Sequence, residues 1–213
     1  MAKPDTHFGN NAIRIANGVT KVSNNDDVNL SQFAADGILT QGGTGRVTKE
    51  IIVGAGSFHL GSSSPDDVYL ANNMHVLAFD KTTVQHGHYA TLIPPDFAAG
   101  TEIAIQVDWA FADAEADHYM TWVMEYLSIT DGDDPAGAIT RTFQKSVIST
   151  GNNDKQIHMT FGTGITGAVA DDTLLLRFFR DSDATYDTDD LNQDAWLLAV
   201  HLHFIADKLG EPT

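Results

Sequence analysis

The sequence contains no cysteine, so disulfide bridges and thiolate metal sites are excluded. Basic residues are scarce as well, because 12 Lys and Arg face 29 Asp and Glu, and the formal net charge is −17. A surface with this charge repels polyphosphate, so we expect no nucleic acid partner. Folding must rest on apolar packing or on assembly with other chains.

Long hydrophobic runs are also missing. No apolar stretch reaches the length that spans a bilayer. The opening residues, MAKPDTHFGNNAIRIANG, have neither the basic head nor the apolar stretch of a secretion signal. We therefore expect no membrane partner and no export by that route.

Apolar and polar residues alternate with period two along most of the chain after Thr101, which predicts β-strands. In TEIAIQVDWAFA the residues predicted to share one apolar face are Ile103, Ile105, Val107, Trp109 and Phe111. The runs HYMTWVMEYLSI and KQIHMTFGTG alternate in the same way. In AWLLAVHLHFIAD the predicted inward row is Trp196, Leu198, Val200, Leu202 and Phe204.

Further strands are predicted upstream, in VTKEIIVGAG, MHVLAFD and HGHYATLIP. About eight strands with no helices between them predict one all-β domain, an antiparallel jelly-roll β-sandwich. An immunoglobulin-like sandwich is the competing topology, because periodicity does not reveal the order of strands in a sheet.

Residues 1–45 differ in composition from the rest of the chain. The run NGVTKVSNNDDVNLSQFAADGILTQGGTGR is rich in Asn, Gly, Asp and Ser, and its apolar residues follow no sustained period. Such a segment buries little apolar surface by itself. We therefore predict an extended N-terminal arm at residues 1–45, ordered by a neighbouring subunit or a larger assembly, and a sandwich domain at residues 46–213. The alternative is an arm that folds back on its own domain.

The stretch RDSDATYDTDD contains four closely spaced acids, Asp181, Asp183, Asp187 and Asp189. Such oxygen donors suit Ca²⁺, but the central Gly and final Glu of an EF-hand loop are absent. We favour a solvated inter-strand turn whose carboxylates accept backbone N–H groups. Exposed ion pairs with Arg177 or Arg180 would contribute about 0–1 kcal/mol each. No metal site and no cofactor is predicted, and Ca²⁺ binding is the alternative.

Two H-x-H pairs, His86 with His88 and His201 with His203, could chelate Zn²⁺ or Fe²⁺, since alternate residues share one face of a strand. Cupin enzymes use such a pair to bind their metal, with a Glu a few residues after the second His. This sequence does not fit that pattern, because YATLIPPDF follows His88 and its first acidic residue is Asp96. His201 and His203 are predicted to lie opposite the apolar row of the last strand. Structural or surface histidines are the favoured interpretation.

Three tryptophans, Trp109, Trp122 and Trp196, could form a sugar-stacking platform, but the apolar rows on which they lie favour the core. The sequence has no G-x-S-x-G elbow and no Gly-rich phosphate loop leading into a helix. No pair of carboxylates stands out for glycoside hydrolysis. We expect a noncatalytic protein with no catalytic residues.

The segments FAAGTEIAIQVDWAFADAEADHYMTWVMEYLSI and DDTLLLRFFRDSDATYDTDDLNQDAWLLAVHLHF resemble structural proteins encoded by tailed bacteriophages and prophages. Three elements are shared. A Pro-Pro corner precedes a strand in which apolar and polar residues alternate and which contains Trp, the next strand has the form x-W-x-x-x-Y, and the C-terminal part contains the motif L-x-L-R-(F/L)-x-R-D. The resemblance covers residues 92–204. It implies a virion jelly-roll domain, usually trimeric, on a capsid, a tail or a fibre.

From this resemblance we expect a homotrimeric capsid decoration protein, located in the virion. Its partners would be its own copies and the major capsid protein or other virion proteins, with the arm reaching across neighbouring capsid subunits. The alternatives are a tail or fibre receptor-binding domain and a free carbohydrate-binding module.

Overall fold

A computed structural model describes residues 46–70, 74–112, 118–146 and 155–207 in full. For the strands within residues 6–42, and for residues 147–148 and 208–209, it describes the backbone. The early strands are β1 (Thr6–Phe8), β2 (Asn11–Ala16), β3 (Val19–Asn24), β4 (Leu30–Phe33), β5 (Leu39–Gly42), β6 (Val47–Gly54), β7 (His59–Leu60) and β8 (Asp66–Leu70).

The later strands are β9 (Met74–Phe79), β10 (His86–Leu92), β11 (Ala104–Phe111), β12 (His118–Ile129), β13 (Thr140–Ile148), β14 (Ile157–Thr160), β15 (Thr173–Arg180), β16 (Ala195–Ala206) and β17 (Lys208–Leu209). A 3-10 turn at Ala55–Ser57 follows β6. Among the described residues, no helix has the length and apolar content that crossing a bilayer requires.

Two antiparallel sheets make up the sandwich. The first, called the β16 sheet, has the order β14-β11-β16-β9-β8, with β6 also paired to β16. The second, called the β12 sheet, has the order β13-β12-β15-β10-β7. The predicted all-β antiparallel sandwich is confirmed.

Strands β9 to β16 pair in a nested way, β9 with β16, β10 with β15, β11 with β14 and β12 with β13. A long hairpin that folds over on itself produces this nesting. In such a hairpin, the two strands of each pair lie at equal distances along the chain from its central turn. The nesting is compatible with the jelly-roll order, which stays a prediction.

Aromatic rings fill the space between the two sheets. Trp122 of β12 stacks on Phe178 of β15 with ring centroids 4.8 Å apart, and it meets Phe79 of β9 edge-on at 5.1 Å. Trp109 of β11 meets the same indole edge-on at 6.3 Å. All four side chains are fully buried, so the core placement predicted for Trp109 and Trp122 is confirmed. Each such pair adds about 0.5–1.5 kcal/mol beyond the burial of its area.

The predicted inward row of the last strand is wrong in its first half. Leu197, Val200 and Leu202 are buried, whereas Trp196 and Leu198 are only half-buried. The register against β11 shifts here, because Asp108 pairs with Ala199 whereas Trp109 pairs with Leu197. One extra residue in β16 at this β-bulge reverses which side chains face inward. β16 also exchanges β9 for β6 as its neighbour at this point.

Strands β1 to β5 pair in sequence as a meander, and β17 adds to it by pairing with β5. The predicted arm at residues 1–45 lies largely outside the described residues, and no side chain in strands β1, β2, β3 and β5 is described. The division between this arm and a domain at residues 46–213 therefore stays a prediction. The backbone shows that β5, which lies within residues 1–45, pairs with β17, which follows the C-terminal end of β16.

Gly164 offers a direct test of the packing around the bridge between Ile103 and Ile165. A Cβ at this position would lie 2.3 Å from the main-chain oxygen of Ile103. We expect Gly164→Ala to destabilise the fold by about 1–3 kcal/mol, since backbone must move to accept the methyl group. Gly54→Ala is the matched control, because a Cβ there meets nothing within 4 Å. Urea denaturation giving equal midpoints for the two variants would contradict this packing.

Candidate functional site

The acidic loop, residues 181–194 between β15 and β16, is the first candidate from the sequence. Asp181 is completely buried, and its carboxylate accepts the N–H groups of Thr185 (3.1 Å), Tyr186 (2.8 Å) and Asp187 (3.0 Å). Burial raises the pKa of the Asp181 carboxyl, although these hydrogen bonds oppose the shift. The predicted turn, with carboxylates that accept backbone N–H groups, is confirmed, but the prediction that it is solvated is wrong for Asp181, because the loop folds around this carboxylate.

Arg180 and Asp189 form a buried ion pair beneath this loop. The guanidinium donates to the carboxylate from Nη2 at 2.6 Å and from Nε at 3.0 Å, and both side chains are almost fully excluded from solvent. Arg180 also donates to the carbonyls of Leu191 and Gln193, each at 2.6 Å. Asp189 accepts in addition the N–H of Thr121 at 3.1 Å. Every polar group of the pair therefore has a partner that compensates its burial.

The prediction of an exposed pair at Arg180 was wrong. Arg180 continues the inner row of β15, which begins at Leu174, and it pairs across the sheet with Trp122. It therefore lies at the end of the core, where the acidic loop covers it. Arg177 lies on the opposite face of β15 and binds Glu125.

The four acids proposed as Ca²⁺ ligands are engaged with different partners. Asp187 accepts Lys145 Nζ at 2.8 Å, and Asp183 accepts the N–H of Thr185 at 3.3 Å. Asp181 binds its own loop and Asp189 binds Arg180. The loop therefore uses its carboxylates to fix its own conformation and its attachment to β12.

Removing one partner of the buried ion pair should destabilise the protein far more than removing one partner of a partly exposed ion pair. We expect Asp189→Ala to destabilise the protein by about 3–5 kcal/mol, because it leaves the Arg180 guanidinium buried without its counter-ion. Asp187→Ala is the control from the same loop, and we expect a small effect because both side chains of its Lys145 pair are about one-third exposed to water. The free energies of unfolding in urea distinguish the two. Equal losses would show that the loop does not bury Arg180.

A second group lies on the outer face of the β12 sheet. Glu125 has a side chain that is 1% exposed, and it binds the guanidinium groups of Arg141 and Arg177 on the two neighbouring strands. The guanidinium of Arg141 also lies over the ring of Tyr186, 4.5 Å from its centroid. Glu125 and Arg177 line an open groove of about 350 Å³, together with Pro135 and its neighbours in the loop between β12 and β13. The sequence contains no signal for this role of Glu125, because only the strand register brings Arg141 and Arg177 beside it.

The first histidine pair, His86 and His88, lies on the same outer face, with His88 directly across from Arg177. Partial burial lowers the pKa of both histidines, and the positive charge of Arg177 lowers it further. A cationic neighbour disfavours the binding of a metal cation here.

The second histidine pair forms the histidine cluster, which consists of Glu50, Asp108, His158, His201 and His203 on the outer face of the β16 sheet. Register explains the grouping, since Glu50 of β6 pairs with His203, and Asp108 of β11 pairs with His158 of β14. His201 lies in the middle, with Nδ1 2.5 Å from Glu50 Oε1 and Nε2 3.1 Å from Asp108 Oδ2. The prediction that His201 and His203 lie opposite the apolar row is confirmed.

Electrostatics within the histidine cluster favour positive charge. Partial burial tends to lower the pKa of His201, but its hydrogen bonds to Glu50 and Asp108 outweigh burial, and the net shift is upward. One nitrogen or oxygen atom from each of Glu50, His201 and His203 lies within 4.8 Å of the other two. In the described part of the chain, this is the only such group of three or more His, Cys, Asp or Glu residues. The H-x-H pattern indicates the two histidines but gives no sign of Glu50, which is 151 positions from His201.

The tryptophans do not form a sugar-stacking platform, because Trp109 and Trp122 are fully buried in the core and Trp196 is half-buried on β16. The exposed aromatic side chains in the described part of the chain include Tyr69 of β8 and Phe143 of β13, which belong to different sheets.

No protein-family model matches the chain, and no curated protein matches it. Among solved structures, dimeric latent PorU from Porphyromonas gingivalis is 8% identical with a TM-score of 0.40, over 76% of this chain and 13% of PorU. A structure of infectious bursal disease virus, Gx strain, is 12% identical with a TM-score of 0.40, over 97% of this chain and 46% of that one.

A structure described as carbohydrate-binding modules from the β-sandwich superfamily is 8% identical with a TM-score of 0.31, over 91% of this chain and 74% of that one. This chain spans less than half the length of the first two proteins. All of these TM-scores lie below 0.5, so the likenesses assign no function to this chain.

Proposed function

We propose that this chain is a noncatalytic structural protein of a virion, a homotrimeric capsid decoration protein with a jelly-roll domain. Its copies would contact one another through the β12 sheet, and residues 1–45 would contact the major capsid protein. The observation that carries the proposal is an exposed apolar surface at one end of the β12 sheet.

This surface, called the apolar end, is built from alternate residues of neighbouring strands. Leu175 of β15 pairs with Ala90 of β10 on one side and with Leu127 of β12 on the other, so the three share the outer face. Leu92 and Ile139 extend the surface and are 64% and 53% exposed. Contiguous apolar side chains on the outer face of a sheet are typical of a surface that contacts another protein.

A second copy of this chain is the partner that we assign to the apolar end. Copies that each carry a net charge of −17 repel one another, so a stable contact between them needs a region without exposed carboxylates. The members of the apolar end carry no charge, and the adjacent Glu125 is 1% exposed and bound by two arginines. The exposed carboxylates of Asp131, Asp133 and Asp134 belong to the neighbouring loop. Closed rings of identical copies are the usual outcome for soluble oligomers.

The noncatalytic part of the proposal is supported by the roles of the acidic residues. Asp181 and Asp189 fix the acidic loop, and Glu125 joins three strands of the β12 sheet. These carboxylates are therefore explained by structural hydrogen bonds and ion pairs. The apolar end requires a protein partner for its explanation.

Residues 1–45 are proposed to hold the domain on the capsid. β5 pairs with β17, which follows β16 after Asp207, so this segment extends from the same end of β16 that pairs with β6. Strand addition and apolar contact at many repeated sites would let individually weak contacts accumulate on a particle.

Charge placed in the apolar end should dissociate the oligomer. We expect the parent chain to have three times the 23.0 kDa mass of one chain by native mass spectrometry, and Leu92→Glu to shift it to the single-chain mass, because burying an unpaired carboxylate in the contact is unfavourable. Tyr69→Glu is the matched control, since Tyr69 is 66% exposed on the other sheet. A monomeric parent chain, or a Leu92→Glu variant that stays as oligomeric as the control, would contradict the proposal.

The role of residues 1–45 is tested by deleting them. We expect the remaining chain to keep the near-ultraviolet circular dichroism of the buried tryptophans but to lose co-sedimentation with capsids, since the domain would retain its core and lose its attachment. The full chain is the control for sedimentation. Undiminished binding of the shortened, folded chain to capsids would rule out this segment as the attachment.

A further inference from the structure

The histidine cluster contains a ring nitrogen, Nε2 of His203, that no hydrogen bond satisfies. Nε2 of His203 is shielded from solvent, forms no hydrogen bond and lies 3.6 Å from Glu50 Oε1. The rings of His201 and His203 lie nearly parallel, 10° apart, with centroids 6.1 Å from each other. Two imidazoles therefore stand side by side on β16, and one carboxylate of β6 faces both.

We propose that Glu50, His201 and His203 bind a divalent transition metal ion, for which Zn²⁺ is the best match, and that Asp108 is the positioning residue for His201. This inference goes beyond the role in a virion, and it does not depend on how copies assemble.

The hydrogen bond between His201 and Asp108 fixes which ring nitrogen can bind a metal. Nε2 faces Asp108 Oδ2 at 3.1 Å and donates its N–H there, whereas Nδ1 shares a proton with Glu50 Oε1 at 2.5 Å. A metal ion bound between Nδ1 and Glu50 would take the place of that proton. A carboxylate that accepts the second N–H of a ligating histidine is the usual support of a zinc site. Asp108 is itself held by Gln156 Nε2 at 2.7 Å and lies 2.5 Å from His158 Nδ1.

The donor set indicates the kind of metal. Two imidazole nitrogens and one carboxylate oxygen suit Zn²⁺ and its transition-metal neighbours, whereas Ca²⁺ and Mg²⁺ prefer oxygen donors throughout. Ligands at about 2.0–2.1 Å from a tetrahedral zinc ion lie roughly 3.3 Å from one another. Glu50 Oε1 is 2.5 Å from His201 Nδ1 and 3.6 Å from His203 Nε2, and all three ligand atoms lie within 4.8 Å of one another. Side-chain displacements of roughly 1 Å would let the three atoms share one ion.

Such an ion would link β6 to β16. β6 lies at the edge of the β16 sheet, and it is the strand that follows residues 1–45. Because the ligands come from both strands, a metal that binds only the folded state would stabilise their pairing. The first histidine pair lacks this arrangement, since Arg177 is the residue paired with His88.

Isothermal titration of the full chain with ZnCl₂ tests the inference. We expect one Zn²⁺ per chain, a higher melting temperature with zinc than without it, and no binding when MgCl₂ replaces ZnCl₂. His203→Ala and Glu50→Gln should each abolish the zinc-dependent rise in melting temperature. Both variants change side chains that are about one-third exposed, and Glu50→Gln keeps the shape of the side chain, so the test remains valid if one variant fails to fold.

The control is the double variant His86→Ala/His88→Ala, which removes an H-x-H pair of identical spacing and should keep zinc affinity unchanged. Asp108→Asn should keep one Zn²⁺ per chain and both histidine ligands by X-ray absorption spectroscopy, with affinity about 10–100-fold lower, because only the orientation of His201 is lost. The inference is overturned if the parent chain does not bind zinc, if folded His203→Ala binds it as the parent does, or if the control loses it.

Discussion

Edge-to-face packing of Trp122 against Phe79 and Trp109 joins the two sheets of this protein. Trp122 belongs to the β12 sheet and the other two rings to the β16 sheet, so neither sheet can bury its apolar face without the other. Because the inner faces are apolar, a charged side chain on an inner row needs polar partners. Arg180 falls on the same inner row as Phe178, and it can remain there only because Asp189 and two main-chain carbonyls of the acidic loop meet its guanidinium.

Because the inner faces are occupied by packing, the outer faces are left for interactions, and the two differ in character. The β12 sheet presents an apolar end beside a neutralised Glu125, which suits contact with a sister copy. The β16 sheet presents histidines and carboxylates, which suit a cation. We infer that assembly and metal binding use opposite sides of the sandwich, so that either one can be lost without loss of the other.

Much of the core could be predicted from the sequence, because strict alternation fixes the inner row of a strand wherever its ladder is regular. Ile105, Val107 and Trp109 of β11 are examples. The same rule, applied from Leu174, would have placed Arg180 inside. It fails at Leu198, where β16 exchanges β9 for β6 and a bulge reverses the faces. Clusters such as Glu50 with His201 depend on which strands become neighbours, and one sequence contains no direct signal for that register.

The number of copies per particle tests most directly whether this protein is built for repeated assembly on a shell. Electron cryomicroscopy of intact particles from the source material, with quantitative mass spectrometry against the major capsid protein, measures it. A decoration protein should be present in hundreds of copies, with density of this sandwich repeated over the capsid lattice. A handful of copies confined to a tail, or absence of the protein from particles, would contradict the account.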